Sequence, residues 1–360
     1  MSLQVLYSFD HITTVDLTSL PNVIGAGSGC IVSQAEGRDS SGCLSTTSIL
    51  NANLGLNPGF NFSVEPHVDY SIGAWVVIED TPAPNAILLG FGNPAANLTS
   101  VSSRLISLSP AQDGSLRVWA AEVGQNGALI ATSAPGVLSY GANRAHYIEM
   151  RVILDANGLV QVRVDGNFVI NLAPIVTRYF DANTVTHIML GNPVGSPRTR
   201  YDDIYVVSGH NIGDGWHGGT RGVIQIDGKR VAAAGEVTQW TPTTPTGINF
   251  ENVREETPDQ NTYNTAITLG VIDLYNLDDI TYAPTALQLD LYMKKTGSGP
   301  SVASPIVRPV PGGANFTGNP QSLTTDFKYY KQVYTKNPAG AGDWTMAAYN
   351  QLQVGVVKAE

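Results

Sequence analysis

Charge is what this sequence has least of. Asp, Glu, Lys and Arg make up 14% of its 360 residues, against about 25% in an ordinary soluble domain. Long surface helices draw on Lys and Glu, so this scarcity argues against a helical protein. Basic charge is scarcest: 20 Lys and Arg stand against 30 Asp and Glu, a net charge of -10. Lys294-Lys295 is only a pair, and no larger Lys/Arg cluster is present. Such a chain gains nothing from counterion release, and nucleic acid is not expected as a partner. No apolar run approaches the roughly 20 residues that span a bilayer, so membrane insertion is not expected. The opening MSLQVLYSFD has no basic stretch leading into an apolar one, which predicts synthesis and assembly in a cytoplasm. Cysteine is almost missing. The spacing of Cys30 and Cys43 leaves a disulfide open, but a cytoplasmic product favours two reduced, buried thiols. Without a neighbouring His they make no zinc site.

What fills the sequence instead is Gly, Thr, Ser, Asn and Pro around short apolar runs, the grammar of strands and tight turns. In HYIEMRVIL, Ile148, Met150, Val152 and Leu154 share one face while Tyr147, Glu149 and Arg151 share the other. A turn at Asn157-Gly158 follows, then LVQVRVD with Val160, Val162 and Val164 inward, then a turn at Asp165-Gly166 and NFVINL. Strand–turn–strand–turn–strand of this kind predicts a meander. YSIGAWVVI (Tyr70 to Ile78) is apolar on both faces and reads as a central strand. AILLGF, RLISLS, SLRVWA, HIMLG and RYDDIYVV extend the series. With so many strands and no long helix, the expected class is all-β, an antiparallel sandwich.

Residues 209–222, GHNIGDGWHGGTRG, are glycine-rich and aperiodic, and read as a junction. They divide the chain into an expected sandwich over 1–208 and a second β-rich domain, also a sandwich, over 223–360. In the latter, VIQIDGKRV, AITLGVIDL and ALQLDLYMKK read as strands. SPIVRPV reads as an edge strand because of its prolines, and WTMAAYNQL as one or two helical turns.

These segments together resemble structural proteins of tailed bacteriophages. YSFDH (Tyr7 to His11), the meander and RYDDIYV (Arg200 to Val206) are similar to the concanavalin A-like, laminin-G-like jelly roll of that group. Downstream, the order of Gln239-Trp240-Thr241-Pro242, the segment Asn249 to Glu255, Asp259 to Tyr263, LQLDLYMKKTGSG and NPAGAGDWTMAAYNQLQVGVV is similar to the module that follows it. The resemblance implies a non-enzymatic virion protein (head decoration, head fibre, collar or tail accessory). It would contact other virion proteins and copies of itself through edge strands and the glycine-rich junction. The alternative is a carbohydrate-binding module that recognises the host surface.

Candidate chemistry is sparse, and no catalytic residue or cofactor is predicted. Asp202 and Asp203 are adjacent on a strand and so should face opposite ways, which suits a structural role better than joint calcium binding. Backbone N–H groups of a nearby loop would satisfy a buried Asp202. Asp10, His11 and Asp16 suggest part of a triad, but no strained serine turn accompanies them. The Glu79-Asp80 pair in VIEDTP precedes a proline and reads as a strand end. No carboxylates stand two apart on one face as a glycoside hydrolase would need. His210, Trp216 and His217 are too few ligands for a metal and, with Trp119, are expected as ligand or subunit contacts. Tyr140 is a further aromatic platform, while Trp75 and Trp119 also suit a core. The sequons at Asn61, Asn97 and Asn315 carry no weight without a secretory route.

Overall fold

The structure, a computed structural model, describes residues 2–10, 23–26, 30–46, 60–82, 87–92, 104–120, 127–177, 184–191, 198–209, 225–243, 247–255, 258, 260–340 and 342–360. It is all-β and divides into two compact units, one ending at Asp227 and one spanning Gly228–Glu360.

The strands of the first unit are β1 (Ser2–Tyr7), β2 (Val23–Ala26), β3 (Cys30–Ser33), β4 (Cys43–Thr46), β5 (Phe60–His67), β6 (Asp69–Ile78), β7 (Leu89–Gly92) and β8 (Arg104–Pro110). They continue as β9 (Leu116–Ala120), β10 (Ala128–Thr132), β11 (Ala145–Ile153), β12 (Gly158–Val164), β13 (Asn167–Ile175), β14 (Val185–Leu190) and β15 (Thr199–Ser208). An eight-stranded sheet runs β13-β12-β11-β6-β15-β4-β3, with β1 also on β15, and a seven-stranded sheet runs β10-β9-β8-β7-β14-β5-β2. The two sheets form a sandwich of the jelly-roll class.

Which face of each strand is interior follows from contacts between the sheets. The Tyr70 ring lies 6.5 Å from that of Phe91, and the Tyr201 hydroxyl donates to the Leu88 carbonyl at 2.8 Å. The even residues of β6 therefore face the other sheet. Their register partners Ile148, Met150 and Val152 on β11, and Val160, Val162 and Val164 on β12, complete this core. Stripping these branched and aromatic side chains of water is the main force joining the two sheets.

The meander forms as β11, β12 and β13. Asp165 and Gly166 adopt φ of 51° and 82°, as a two-residue hairpin turn demands. Gly158 has another role from the one expected: its φ is not positive, and a Cβ there would lie 2.1 Å from Thr177 Oγ1. Cys30 and Cys43 are free and buried. They sit at opposite ends of the β3–β4 ladder, Cys30 opposite Thr46 and Cys43 opposite Ser33.

The second unit contains β16 (Val231–Thr238), β17 (Thr241–Pro242), β18 (Asn264–Thr265), β19 (Ile272–Leu277), β20 (Leu287–Met293), β21 (Val302–Arg308), β22 (Phe316–Thr317), β23 (Gln321–Ser322), β24 (Lys328–Tyr334), helix α1 (Met346–Asn350) and β25 (Gln353–Lys358). A six-stranded sheet runs β16-β19-β25-β21-β22, with β23 on β21. The β20–β24 ribbon and α1 pack on it through Leu289, Val307, Trp344, Tyr349, Leu352 and Val354.

Three sequence expectations change here. The strand foreseen in VIQIDGKRV begins only at Val231, because the Ile226 amide donates to Asp203 at 2.6 Å instead of to a ladder. In AITLGVIDL only the last part is strand: Ile267 and Leu269 are exposed, and Gly270 has a φ of 80°. The proline-bearing β21 is interior rather than an edge. The Pro305 carbonyl, and so its missing N–H, points to the side where β22 and β23 leave a gap, and it accepts there from the Gly318 amide at 2.7 Å. The ring therefore removes no ladder donor.

Candidate functional site

The outer face of the eight-stranded sheet carries what the core does not. Register places Phe168, Arg163, Glu149, Gly73 and Tyr205 in one row across β13, β12, β11, β6 and β15. The next row along holds Asn171, Gln161, Arg151, Ser71 and Val207. An outward face on solvent needs no fixed polar geometry, yet these side chains are ordered by one another.

At the centre, the Tyr205 hydroxyl donates to Glu149 Oε1 at 2.7 Å. Two strand spacings separate their backbones, and the Tyr205 ring bridges them by lying over Gly73, where a Cβ would fall 2.1 Å from Tyr205 Cε1. Both residues are fully buried, at 0% exposure. Sequence alternation assigned Glu149 correctly to the face opposite Ile148. A buried carboxylate requires a donor, and Tyr205 supplies one from a strand distant in sequence. Next to it, Arg151 forks onto Asp69 through Nε and Nη2, at 3.2 and 3.0 Å.

The row opens toward β13. Phe168 is 47% exposed, and the Arg163 guanidinium lies over its ring, 3.9 Å from the centroid. Beside them the Gln161 side-chain amide donates to Asn171 Oδ1 at 3.0 Å. This corner combines an aromatic ring, a cation and two amides, the groups that orient a polar ligand on a flat surface.

The predicted site residues fall elsewhere. Asp202 and Asp203 do not point to opposite faces: Asp203 has a φ of 50° inside a bulge of β15, which turns both carboxyls toward the loop at Arg38. Asp202 Oδ2 accepts from the Arg38 amide at 2.9 Å and the Ser41 hydroxyl at 2.7 Å, and Oδ1 accepts from the Asp203 amide at 2.8 Å. Asp203 accepts from Arg38 Nη1 at 3.0 Å and the Ile226 amide at 2.6 Å. Where calcium was weighed, a guanidinium and backbone amides thus engage the pair. Burial, and then the charge of Asp203, raises the Asp202 carboxyl to about 8. Burial raises Asp203 to about 6 despite its donors. Asp10 accepts from the Gly42 amide at 2.9 Å. Among the described residues, no three His, Cys, Asp or Glu side chains are grouped to hold a metal ion.

Trp119 is half-buried on β9, on the outer face of the other sheet, with Nε1 donating to Ser109 Oγ at 2.9 Å. Trp75 is also half-buried and outward, opposite Tyr147, so neither is a core anchor. Tyr140 donates to the Ala111 carbonyl. His11, Asp16, Asn97, His210, Trp216 and His217 lie outside the described residues. Sequence reading passed over Tyr205, Glu149 and Arg163. The available signal was a Glu and an Arg on the polar faces of two strands adjacent in the meander.

No protein-family model matches the chain, and no curated protein sequence does. Solved structures similar to it include the alginate lyase Aly36B, 15% identical with a TM-score of 0.39, covering 56% of this chain and 96% of that one. An endo-β-1,4-glucuronan lyase from the fungus Trichoderma reesei is 13% identical with a TM-score of 0.42, over 57% and 96%. A carbohydrate esterase from the Shiga toxin-encoding bacteriophage phi24B is 14% identical with a TM-score of 0.38, over 58% and 100%. All three are carbohydrate-active enzymes of related shape. The expectation was a non-enzymatic virion structural protein, resting on motif order and on the lack of any polar constellation in the sequence; the structures found are instead those of enzymes, and that expectation is withdrawn. The likeness lies in the fold, and what this chain does rests on its own side chains.

Proposed function

We propose that the first unit is carbohydrate-active and binds a glycan on the outer face of its eight-stranded sheet, at the β12–β13 corner. One observation carries this reading: a single register row offers an exposed ring at Phe168, the Arg163 cation, and a buried carboxylate–hydroxyl pair behind them. Aromatic rings take the C–H faces of sugars, while fixed amides and charges take their polar edges. The motif order makes a host-cell surface the expected source of that glycan. Affinity electrophoresis through gels holding neutral, uronate or sulfated polysaccharides tests the binding. At least one polymer should retard the protein, and Phe168→Ala should relieve the retardation. Equal mobility in every gel would contradict the reading.

A second reading, that the unit also cleaves the glycan, is favoured by the Tyr205–Glu149 pair. A tyrosine hydroxyl oriented by a carboxylate can exchange a proton with a substrate oxygen once the glycan displaces the side chains that cover this fully buried pair. Incubation with the retarding polymer should then release new chain ends, and Tyr205→Phe should stop release while retardation persists. No release by the unaltered protein would remove this second reading and leave binding intact.

A further inference from the structure

Three arginines stand on the eight-stranded sheet: Arg151, Arg163 and Arg200. Arg151 is paired with Asp69 at 3.0 Å and Arg200 with Glu79 at 3.0 Å. Among the described residues Arg163 forms no such pair. Its Nε is buried without a hydrogen bond, and its contact is the Phe168 ring. The acidic residue directly opposite it is Glu149, whose Oε1 accepts from Tyr205 and whose Oε2, like Arg163 Nε, is buried without a hydrogen bond. Of the three, Arg163 alone carries no ion pair among the described residues, and a half-buried guanidinium with an unmet donor is costly.

We propose, building on the glycan-binding reading, that Arg163 receives the carboxylate of an acidic sugar, so that the ligand is a uronate-containing glycan. Stacking on Phe168 fixes the guanidinium plane, and a fixed plane presents its N–H groups as a fork that matches a carboxylate with two parallel hydrogen bonds. The exposed part of Phe168 takes the apolar face of a sugar ring. Gln161 and Asn171, one step along the same face, meet its hydroxyls. A sulfate ester is a far weaker base than a carboxylate and accepts less strongly from the same fork.

Binding of the full chain to a polyuronate, a neutral polysaccharide and a sulfated polysaccharide is measured by isothermal titration. The unaltered protein, Arg163→Gln, Arg163→Lys and Arg117→Gln are compared. The expected result is preference for the polyuronate, a loss of about 10- to 100-fold in Arg163→Gln, an intermediate loss in Arg163→Lys, and none in Arg117→Gln. The thermal midpoint of each variant is read alongside, and Arg163→Lys keeps the test open if Arg163→Gln folds poorly. Binding of the neutral polymer as tightly as the polyuronate, or an unchanged affinity in Arg163→Gln, overturns the carboxylate assignment while the glycan-binding face stands. Preference for the sulfated polymer overturns it as well. Binding of none of the three removes the reading beneath it.

Discussion

Tyr205 reaches Glu149 across Gly73, and the contact exists only because position 73 carries no side chain. The glycine in the middle of an otherwise apolar strand costs local stability. It is explained by the ring that lies over it, and it links β15 to β11 through a hydrogen bond between side chains that no ladder could join.

Gly73→Ala should therefore act as an overpacking change. It is expected to cost about 1–3 kcal/mol, and it should displace the Tyr205 hydroxyl from Glu149. Urea denaturation checks the first part. Loss of polymer cleavage, if cleavage is found, checks the second.

The buried acids set a pH dependence. A carboxyl whose pKa is raised on folding takes up a proton as the chain folds, so the unfolded state binds fewer protons in that range and stability falls as pH rises. For Asp202 the fall runs from the ordinary carboxylate range through about 8, and for Asp203 through about 6. Thermal midpoints should decline between pH 5 and pH 8.5, flanking those values. Asp202→Asn should flatten the upper part of the decline. A midpoint that rises across that interval would contradict the assignment.

Burial, reinforced by the charge of Asp202, pushes the Cys43 thiol up to about 12. A thiolate is the reactive form. In the folded protein at mild alkaline pH, Cys43 should resist an alkylating reagent, and denaturant should expose both cysteines. Mass spectrometry after a timed pulse of reagent reads this directly.

In the second unit, Trp344 is 2% exposed and donates to the Tyr334 carbonyl at 3.1 Å. Trp344→Ala should cost about 3–5 kcal/mol by leaving a cavity. Thr345 caps α1 by accepting from the Ala348 amide at 3.1 Å, and Thr345→Ala should cost about 1 kcal/mol. Denaturation curves of the two variants rank these effects, and the reverse order would contradict the packing described.

The meander was legible because alternation and turn residues are local signals: Asp165-Gly166 announces both the hairpin and its register. The Arg163–Phe168 step follows from that register, whereas Glu149 joins the row through the separate β11–β12 connection. Tyr205 and Gly73 were not legible as members of the row, since their pairing depends on strand order in the sheet. Alternation told which face Glu149 takes but not that the face is buried there. It failed at Asp202-Asp203, where a bulge at positive φ turns neighbours to the same side. Pro305 misled in the other direction, because the gap between β22 and β23 that accepts it is a tertiary feature.

The central claim, that a glycan sits on the outer face of the eight-stranded sheet near β12 and β13, is tested most directly by hydrogen–deuterium exchange. The protein is compared alone and with a saturating uronate oligosaccharide. Slower exchange is predicted in Ala145–Ile153, Gly158–Val164 and Asn167–Ile175, with Leu116–Ala120 unchanged. Protection centred on Leu116–Ala120, around Trp119, would contradict it.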